Sequence, residues 1–273
     1  ALRLYSKKKI NDKKIINSFK LNKILKNKIL LIGGSGTLGQ KIVKSNYFKN
    51  LDYPNKKKLN ISKKNNIRKI LKNDYNIIIN CAALARMKEC EKNPKKAKLI
   101  NIIGSLNLVN EIKRYNLKNK KMTKLIHIST DAVYPSIKGN YKESSKLKPY
   151  NIYGWSKYIS EKIVKKLKNS VIIRTRFFDK KKIKFTTAST DIFTSMIEVE
   201  KLIKEIKKII NYNFKGVINI GDKKKSDFEN YKKFKKSIKP CKRIDILKDL
   251  DFLIAKDSSM NINKLKKLKK NYE

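Results

Sequence analysis

The chain has 273 residues, 40% of them hydrophobic, and a formal net charge of +48. This length suits one large domain, or one domain with a small appendage, and no apolar run approaches the roughly 20 residues of a membrane-spanning helix. One histidine and three cysteines without metal-like spacing exclude a histidine-rich metal site. The lysines are spread over the whole chain together with Asn and Ile, which favours a compositional bias over a nucleic-acid surface. We therefore expect a cytoplasmic protein that holds no metal, does not enter a membrane and has no specific nucleic-acid partner.

Strand-like and helical segments alternate along most of the chain. The predicted strands are "KILLIGG", "YNIIINCAA", "KLIHIST", "SVIIRTRFF" and "GVINIG". Their continuous apolar character is typical of a parallel sheet that is covered by helices on both faces. A long helix is predicted over residues 93–116. The lone histidine, His127, is expected to pack in or beside the sheet.

The sequence divides into three parts. Residues 1–27 are basic and polar, and we predict an N-terminal extension there. Residues 28–176 carry the regular alternation, and residues 177–273 follow a looser pattern. We expect an α/β protein in which residues 28–176 form a Rossmann-like, doubly wound parallel sheet. Residues 177–273 are expected to form a small C-terminal substrate-binding lobe of the same compact unit.

A glycine-rich segment, "LIGGSGTLGQ", joins the first predicted strand to the first predicted helix. Gly33, Gly36 and Gly39 have G-x-x-G-x-x-G spacing, which permits a tight turn and brings the positive end of a helix to a pyrophosphate. This context is what a dinucleotide-binding motif requires. The predicted dinucleotide contacts in this loop are Gly33, Ser35, Gly36, Thr37 and Leu38.

The segment "LDYPNKKKLNIS" should reach the ribose end of the dinucleotide. Asp52 is expected to lie within a short strand, so that Asn55 and Lys56 come to the ribose instead. A basic residue at this place accommodates a 2′-phosphate. The cofactor is therefore predicted to be NADP(H), with NAD(H) as the alternative.

Tyr153 and Lys157 lie four residues apart in "KPYNIYGWSK", on one face of a predicted helix. A neighbouring ammonium lowers the pKa of a phenol, and a tyrosine so tuned can act as a proton donor. Thr130 ends the strand "KLIHIST" at the carboxyl edge of the sheet, where ligands bind in such folds. Because Tyr-x-x-x-Lys recurs by chance in a chain with 13 tyrosines, the surrounding motifs decide its meaning.

Seven motifs occur in a characteristic order: "GGSGTLG", "LNIS", "NCAA", "CEKNPKKAKLINIIGSLNL", "HISTDAVY", "KPYNIYGWSK" and "IIRTRFF". Together they resemble the extended short-chain dehydrogenase/reductase family. Within that family they are most similar to the sugar-nucleotide reductases of the dTDP-4-dehydrorhamnose reductase type. The resemblance is clear over residues 28–221 and weaker over residues 222–268.

The resemblance implies roles for individual residues. Beyond the glycine loop and the ribose end, the residues that it places against the cofactor are Asn60, Ile61, Cys81, Ala82, Ala83, Tyr153 and Lys157. It makes Tyr153 the catalytic acid, Thr130 its hydroxyl partner and Lys157 the tuning cation. Asn101 matches an asparagine that supports the active-site architecture.

The implied reaction is the NADPH-dependent reduction of the 4-keto group of a nucleotide-linked 4-keto-6-deoxy sugar. The predicted substrate contacts are Arg86, Asp131 and Arg174. Arg176, on the same strand as Arg174, is the other candidate. Ala132 stands where a dehydratase of this family has Glu, which argues against dehydration. A non-catalytic dinucleotide-binding regulatory subunit and a related sugar-nucleotide epimerase stay as alternatives, and the sequence leaves a homodimer open.

Overall fold

The central element of the protein is a six-stranded parallel sheet, seen in a computed structural model that describes residues 27–272. Its strands are β1 (Ile29–Ile32), β2 (Leu51–Asp52), β3 (Ile77–Asn80), β4 (Lys124–Thr130), β5 (Ser170–Thr175) and β10 (Gly216–Asn219). The spatial order is β10-β5-β4-β3-β1-β2, and every neighbouring pair is parallel. The strand order runs outward in both directions from β1 and β3, as in a doubly wound Rossmann fold. The predicted fold class is confirmed, while the predicted N-terminal extension, residues 1–27, lies outside the described residues apart from position 27.

Helices cover both faces of this sheet and its carboxyl edge. They are α1 (Thr37–Lys44), α2 (Lys64–Leu71), α3 (Met87–Lys92), α4 (Pro94–Ala97), α5 (Gly104–Asn119), α6 (Ile152–Val164), α7 (Val199–Asn211) and α10 (Asn263–Lys270). Successive residues of β1 enter opposite cores: Ile29 and Leu31 join one buried cluster, and Leu30 and Ile32 join the other. Because side chains alternate along a strand, burial on both faces requires continuously apolar strands.

The predicted long helix over residues 93–116 contains a π-helical segment. Helix α4, the π-helix Lys98–Ile103 and α5 follow one another without a break, and the helical run ends at Asn119. A π-helical turn closes hydrogen bonds between residues five apart, and such turns are frequent at functional sites. The apolar periodicity predicted the helix but not this local widening.

The remaining short elements form a small lobe. They are β6 (Phe177–Phe178), β7 (Thr187–Ser189), β8 (Phe193–Thr194), β9 (Ile197–Glu198), β11 (Lys225–Ser226), α8 (Asp227–Lys232), β12 (Lys239–Cys241) and α9 (Arg243–Leu247). The strands pair as β6 with β9, β7 with β12 and β8 with β11. Strand β10 returns to the central sheet, so residues 177–272 contribute to both parts. No helix within residues 27–272 is long and apolar enough to cross a membrane.

Helix α1 approaches the glycine loop so closely that a side chain is excluded at Gly39. A Cβ atom there would lie 2.2 Å from the carbonyl oxygen of Gly33 and 2.7 Å from the Cα of Gly34. Both neighbours are backbone atoms, which cannot turn away as a side chain can. At Gly36, by contrast, the nearest atom to an added Cβ would be 3.5 Å away, an ordinary contact distance.

We expect Gly39→Ala to lower the free energy of unfolding by about 1–3 kcal/mol, because overpacking against backbone forces α1 away from the sheet. Urea denaturation measures this loss. Gly36→Ala is the matched control and should change stability by less than about 0.5 kcal/mol. Equal effects of the two substitutions would contradict the close packing of α1 on the loop.

Candidate active site

The glycine-rich loop closes directly onto the end of β3. Gly33 has a φ of +84°, in the left-handed region, and a Cβ atom there would lie 2.6 Å from the backbone nitrogen of Ala82. The Gly36 amide donates a hydrogen bond to the Gly33 carbonyl at 3.1 Å, which folds the loop back before α1 begins. Since Gly36 supplies no capping side chain, the first amides of α1 are left for a ligand.

A cavity of about 870 Å³ lies beside this loop, and we call it the first cavity. The predicted cofactor contacts in its lining are Gly33, Ser35, Gly36, Asn55, Lys56, Asn60, Ile61, Cys81, Ala82 and Ala83. The side chain of Leu38 is instead 4% exposed and packs in the core. Thr37 begins α1 and does not line the cavity either. These two residues can reach a ligand there through their backbone amides alone.

The part of the first cavity that follows β2 is basic. Lys44, Lys56 and Lys58 belong to its lining. The carboxylate of Asp52 lies in β2, where it accepts a hydrogen bond from the Tyr75 hydroxyl at 2.7 Å. Asp52 does not line the cavity, whereas the carboxylate of Glu89 does. A hydrogen bond with Lys96 lowers the pKa of Glu89, and the charge of Lys56 acts in the same direction. Lysines outnumber carboxylates in this lining.

The π-helix places Asn101 where it holds two parts of the site together. Its Oδ1 accepts a hydrogen bond from the Leu84 amide at 2.8 Å, and its Nδ2 donates to the Leu84 carbonyl at 3.0 Å and to Ser156 Oγ at 2.8 Å. Ser156 in turn donates to the backbone carbonyl of Tyr153 at 2.7 Å. The loop after β3 and the first turn of α6 are thereby fixed to one buried carboxamide.

A second cavity, of about 510 Å³, lies between the sheet edge and the small lobe. The side chains in its lining include Tyr150, Arg176, Asp227 and Tyr231, together with residues of β7 and α9. Asp227 and Tyr231 stand four residues apart on α8, so they share one face of that helix. The sequence analysis did not single out these two residues. Their four-residue spacing was the feature that could have indicated a shared helix face.

Tyr153 lines neither cavity, but its neighbours line both. Its ring packs against the buried cluster that contains Leu84, and Leu84 also lines the first cavity. Its side chain lies beside that of Thr130. The next residue, Asp131, lies 3.9 Å from the Nη1 of Arg176, which lines the second cavity. A phenol and a hydroxyl are thus brought together at the junction of two ligand-sized spaces.

Lys157 is buried one turn beyond Tyr153. Its Nζ donates a hydrogen bond to the Ile128 carbonyl at 2.7 Å and lies 3.1 Å from His127 Nε2. His127 is itself buried in β4, as predicted, and its Nε2 lies 3.1 Å from Ser160 Oγ. Across residues 27–272, no three His, Cys, Asp or Glu side chains are grouped closely enough to hold a metal ion.

Burial sets the protonation of these groups. It raises the pKa of Tyr153 above the usual range of a tyrosine, and the neighbouring Thr130 side chain acts in the opposite direction. It lowers the pKa of Lys157 to about 8, against the attraction of Glu161. It also holds the pKa of His127 well below its usual value, and the charge of Lys157 adds to this effect. At neutral pH, Tyr153 therefore keeps its proton and His127 is uncharged.

Two of the arginines that were predicted to bind substrate lie away from the cavities. Arg174 is 1% exposed, and its guanidinium forms an ion pair with Glu161 at 2.7 Å. Its Nη1 donates to the Tyr134 hydroxyl at 2.8 Å and to a backbone carbonyl. Arg86 is exposed and lines neither cavity. Arg176, which follows β5, lines the second cavity, whereas Arg174 does not.

Arg174 is expected to stabilise the fold. In Arg174→Met the carboxylate of Glu161, itself 1% exposed, loses its counter-ion, and the free energy of unfolding should fall by about 3–5 kcal/mol. Adding Glu161→Leu should restore much of that loss, because the unpaired buried charge is removed. Urea denaturation of the single and double variants measures both effects.

Arg114→Met is the matched control, because Arg114 is 56% exposed and lies 3.8 Å from Glu111, which keeps its closer pair with Arg68 at 3.0 Å. Arg114→Met should lower the free energy of unfolding by less than about 1 kcal/mol. A comparable loss in Arg114→Met and Arg174→Met would contradict the structural role of Arg174.

Comparison with known proteins agrees with this geometry. A family model described as the RmlD substrate binding domain matches residues 27–205. The spore coat polysaccharide biosynthesis protein SpsK of Bacillus subtilis is 34% identical over 156 residues, which cover 54% of this chain and 52% of that protein. A dTDP-4-dehydrorhamnose reductase of Aggregatibacter actinomycetemcomitans is 29% identical over 157 residues, which cover 54% of this chain and 50% of that protein. The chain therefore spans about half the length of these curated relatives.

A solved structure is similar over a longer stretch. The dTDP-4-dehydrorhamnose reductase of Bacillus anthracis, in complex with NADP, has a TM-score of 0.79 and 25% identity. The match covers 88% of this chain and 92% of that one. The resemblance predicted from the seven motifs is confirmed, and the chain belongs to the RmlD substrate-binding domain family of the extended short-chain dehydrogenase/reductases.

Proposed function

We propose that the protein binds NADPH in the first cavity and reduces the 4-keto group of a nucleotide-linked 4-keto-6-deoxy sugar in the second. The observation that carries this proposal is the position of Tyr153, which lies beside Thr130 and whose neighbours line both cavities. A proton donor at that junction can act on a group from either side. The names of the relatives favour a dTDP-linked sugar, the substrate of a dTDP-4-dehydrorhamnose reductase.

The first cavity fits a dinucleotide in shape and charge. The loop has no room for side chains at Gly33 and Gly39, and the uncapped start of α1 beside it suits a pyrophosphate. Lys44, Lys56 and Lys58 would hold a 2′-phosphate at the other end. This charge supports NADP(H) over NAD(H).

The chemistry assigned to the chain is the delivery of a proton and the stabilisation of charge. The cofactor, when bound, supplies the hydride. Tyr153 gives its proton to the oxygen of the ketone. The Thr130 hydroxyl, which donates to Asp131 Oδ1 at 3.0 Å in this structure, would turn to donate to the same oxygen. Lys157, as an ammonium, stabilises the tyrosinate that results. Asn101 positions Tyr153 through Ser156 and the backbone.

Replacing the phenol tests this assignment. Tyr153→Phe should lower the turnover of dTDP-4-keto-6-deoxyhexose about 10²- to 10⁴-fold, the usual contribution of a positioned proton donor. The loss of NADPH absorbance measures turnover, and the quenching of protein fluorescence measures NADPH binding, which should be unchanged. Trp155→Phe, on an exposed position of the same helix, is a control that should keep wild-type turnover.

The same experiment separates the proposal from its alternatives. A wild-type protein that binds NADPH but reduces neither the dTDP-, UDP- nor GDP-linked ketosugar would overturn the reductase in favour of a regulatory subunit. Interconversion of nucleotide sugars without net consumption of NADPH would indicate an epimerase.

The pKa of Lys157 predicts an alkaline limit to activity. Its ammonium form is present below about pH 8 and is lost as the pH rises through that value, so turnover should decline above about pH 8. In Lys157→Met the much lower residual turnover should show no such decline, because the titrating group is gone. A pH profile of kcat/KM measures both, and an identical decline in the variant would assign the limit to another group.

A further inference from the structure

His127, the single histidine of the chain, is buried against Lys157. The two nitrogen atoms His127 Nε2 and Lys157 Nζ lie 3.1 Å apart. At that distance the contact is favourable when one nitrogen donates and the other accepts. An ammonium group has three donors and no acceptor. The effect of the contact therefore depends on which ring nitrogen of His127 carries the proton.

Asn80 determines the position of that proton. Its Oδ1 accepts a hydrogen bond from the Ala82 amide at 3.1 Å, and because a backbone amide can only donate, this bond fixes the orientation of the carboxamide. The Nδ2 of Asn80 then faces His127 Nδ1 at 3.3 Å. Since Nδ2 is also a donor, Nδ1 has to accept and carries no proton. His127 is accordingly neutral, with its proton on Nε2.

Ser160 provides an acceptor for this proton. Its hydroxyl donates to the backbone carbonyl of Lys157 at 2.9 Å, so its oxygen accepts from His127 Nε2 at 3.1 Å. His127 Nε2 is thus equally far from Ser160 Oγ and from Lys157 Nζ. Lys157 as an ammonium turns a donor towards a donor, which is repulsive. Lys157 as an amine has a lone pair that accepts from Nε2–H, while Nζ still donates to the Ile128 carbonyl at 2.7 Å.

The other titratable groups around Lys157 lie on α6 and after β3. Burial lowers the pKa of Lys157 to about 8, and the charges of Glu161 and Cys81 act against this. Burial also raises the pKa of Cys81 to about 12, so this thiol is uncharged at neutral pH. Glu161 is already paired with Arg174 at 2.7 Å, and Tyr153 keeps its proton. In the described part of the chain, His127 is the titratable side chain within hydrogen-bonding distance of Nζ.

We propose that His127 is a positioning residue that acts through Lys157 and sets the pH at which Lys157 loses its charge. Its Nε2–H destabilises the ammonium relative to the amine, and Asn80 keeps the proton on that nitrogen. The inference rests on the proposed reductase function, in which Lys157 stabilises the tyrosinate only while it is charged. It adds that the alkaline limit of turnover is controlled by a histidine that lines neither cavity.

Two substitutions should move the pKa of Lys157 in opposite directions. In His127→Gln the new amide reaches the place of Nε2, where its oxygen accepts from Lys157 and its nitrogen donates to Ser160. The pKa of Lys157 should rise by about one to two units, the effect of one hydrogen bond to a charged group. Ser160→Ala removes the second acceptor and leaves Nε2–H to Lys157, so the pKa should fall. A purely structural role would not produce shifts of opposite sign.

Nuclear magnetic resonance measures this pKa without any turnover, in the full chain labelled with ¹³C at the Cε of lysine. The Lys157 signal is the one that is absent from Lys157→Met. Lys124, whose pKa burial also lowers to about 8, is an internal control. It lies three residues from His127 on β4, so the two side chains point to opposite faces of the sheet. Its titration should be the same in all variants.

The pH profile of kcat/KM should follow the titration of Lys157. The alkaline decline should move to higher pH in His127→Gln and to lower pH in Ser160→Ala. Ser170→Ala is the matched control, because Ser170 is a buried serine whose hydroxyl donates to the backbone carbonyl of Val164 at 3.3 Å. It should leave both the titration of Lys157 and the pH profile as in wild type.

The remaining outcomes separate this inference from the function on which it rests. An unchanged pKa of Lys157 in both variants, or shifts of the same sign, would overturn the inference and leave the reductase function intact. If His127→Gln does not fold, Ser160→Ala decides alone: a lower pKa supports the inference, and an unchanged or higher one overturns it. Opposite shifts in a protein that reduces no nucleotide-linked ketosugar would overturn the reductase function and leave the control of Lys157 by His127 in place.

Discussion

The buried ion pair between Glu161 and Arg174 is the interaction on which the rest of the site depends. Glu161 lies on α6, the helix of Tyr153 and Lys157, and Arg174 lies on β5. Ser129, next to Thr130 in β4, donates to the same carboxylate at 2.6 Å. Two strands and helix α6 therefore meet at one carboxylate. An apolar contact would bury the same area without fixing direction, whereas charged hydrogen bonds hold the ends of β4, β5 and α6 in one register.

The surplus positive charge of the chain is unevenly distributed at the site. Lysines outnumber the carboxylate of Glu89 in the lining of the first cavity, while the charged side chains that line the second are three aspartates and Arg176. Scattered surface lysines contribute little to either space because solvent screens them. The net charge of +48 is therefore a weak guide to the ligands. A few buried side chains, whose charges solvent does not screen, are a better guide. A chain with a strong compositional bias towards lysine can therefore still contain a specific binding site.

The parts of the site that the sequence predicted are local. The glycine loop and the Tyr153–Lys157 spacing each lie within one turn or one loop, where the geometry follows from the spacing alone. Spacing alone could not tell whether Arg174 or Arg176 lines the second cavity, because the two arginines are only two residues apart in the same segment. Glu161, on the helix before β5, pairs with Arg174 and is buried with it. Asp227 lies in a segment with no family motif, and the fold brings it to 3.6 Å from Arg176, 51 residues earlier in the chain.

Arg176 makes the two ends of the second cavity interdependent. The charge of Asp131 raises the pKa of Tyr153, and the charge of Arg176 lowers it. Asp227 shares Arg176 with Asp131, so the guanidinium is held between a carboxylate of the small lobe and one at the end of β4. A change in the charge of either carboxylate alters the surroundings of the guanidinium, and the guanidinium in turn acts on the pKa of Tyr153.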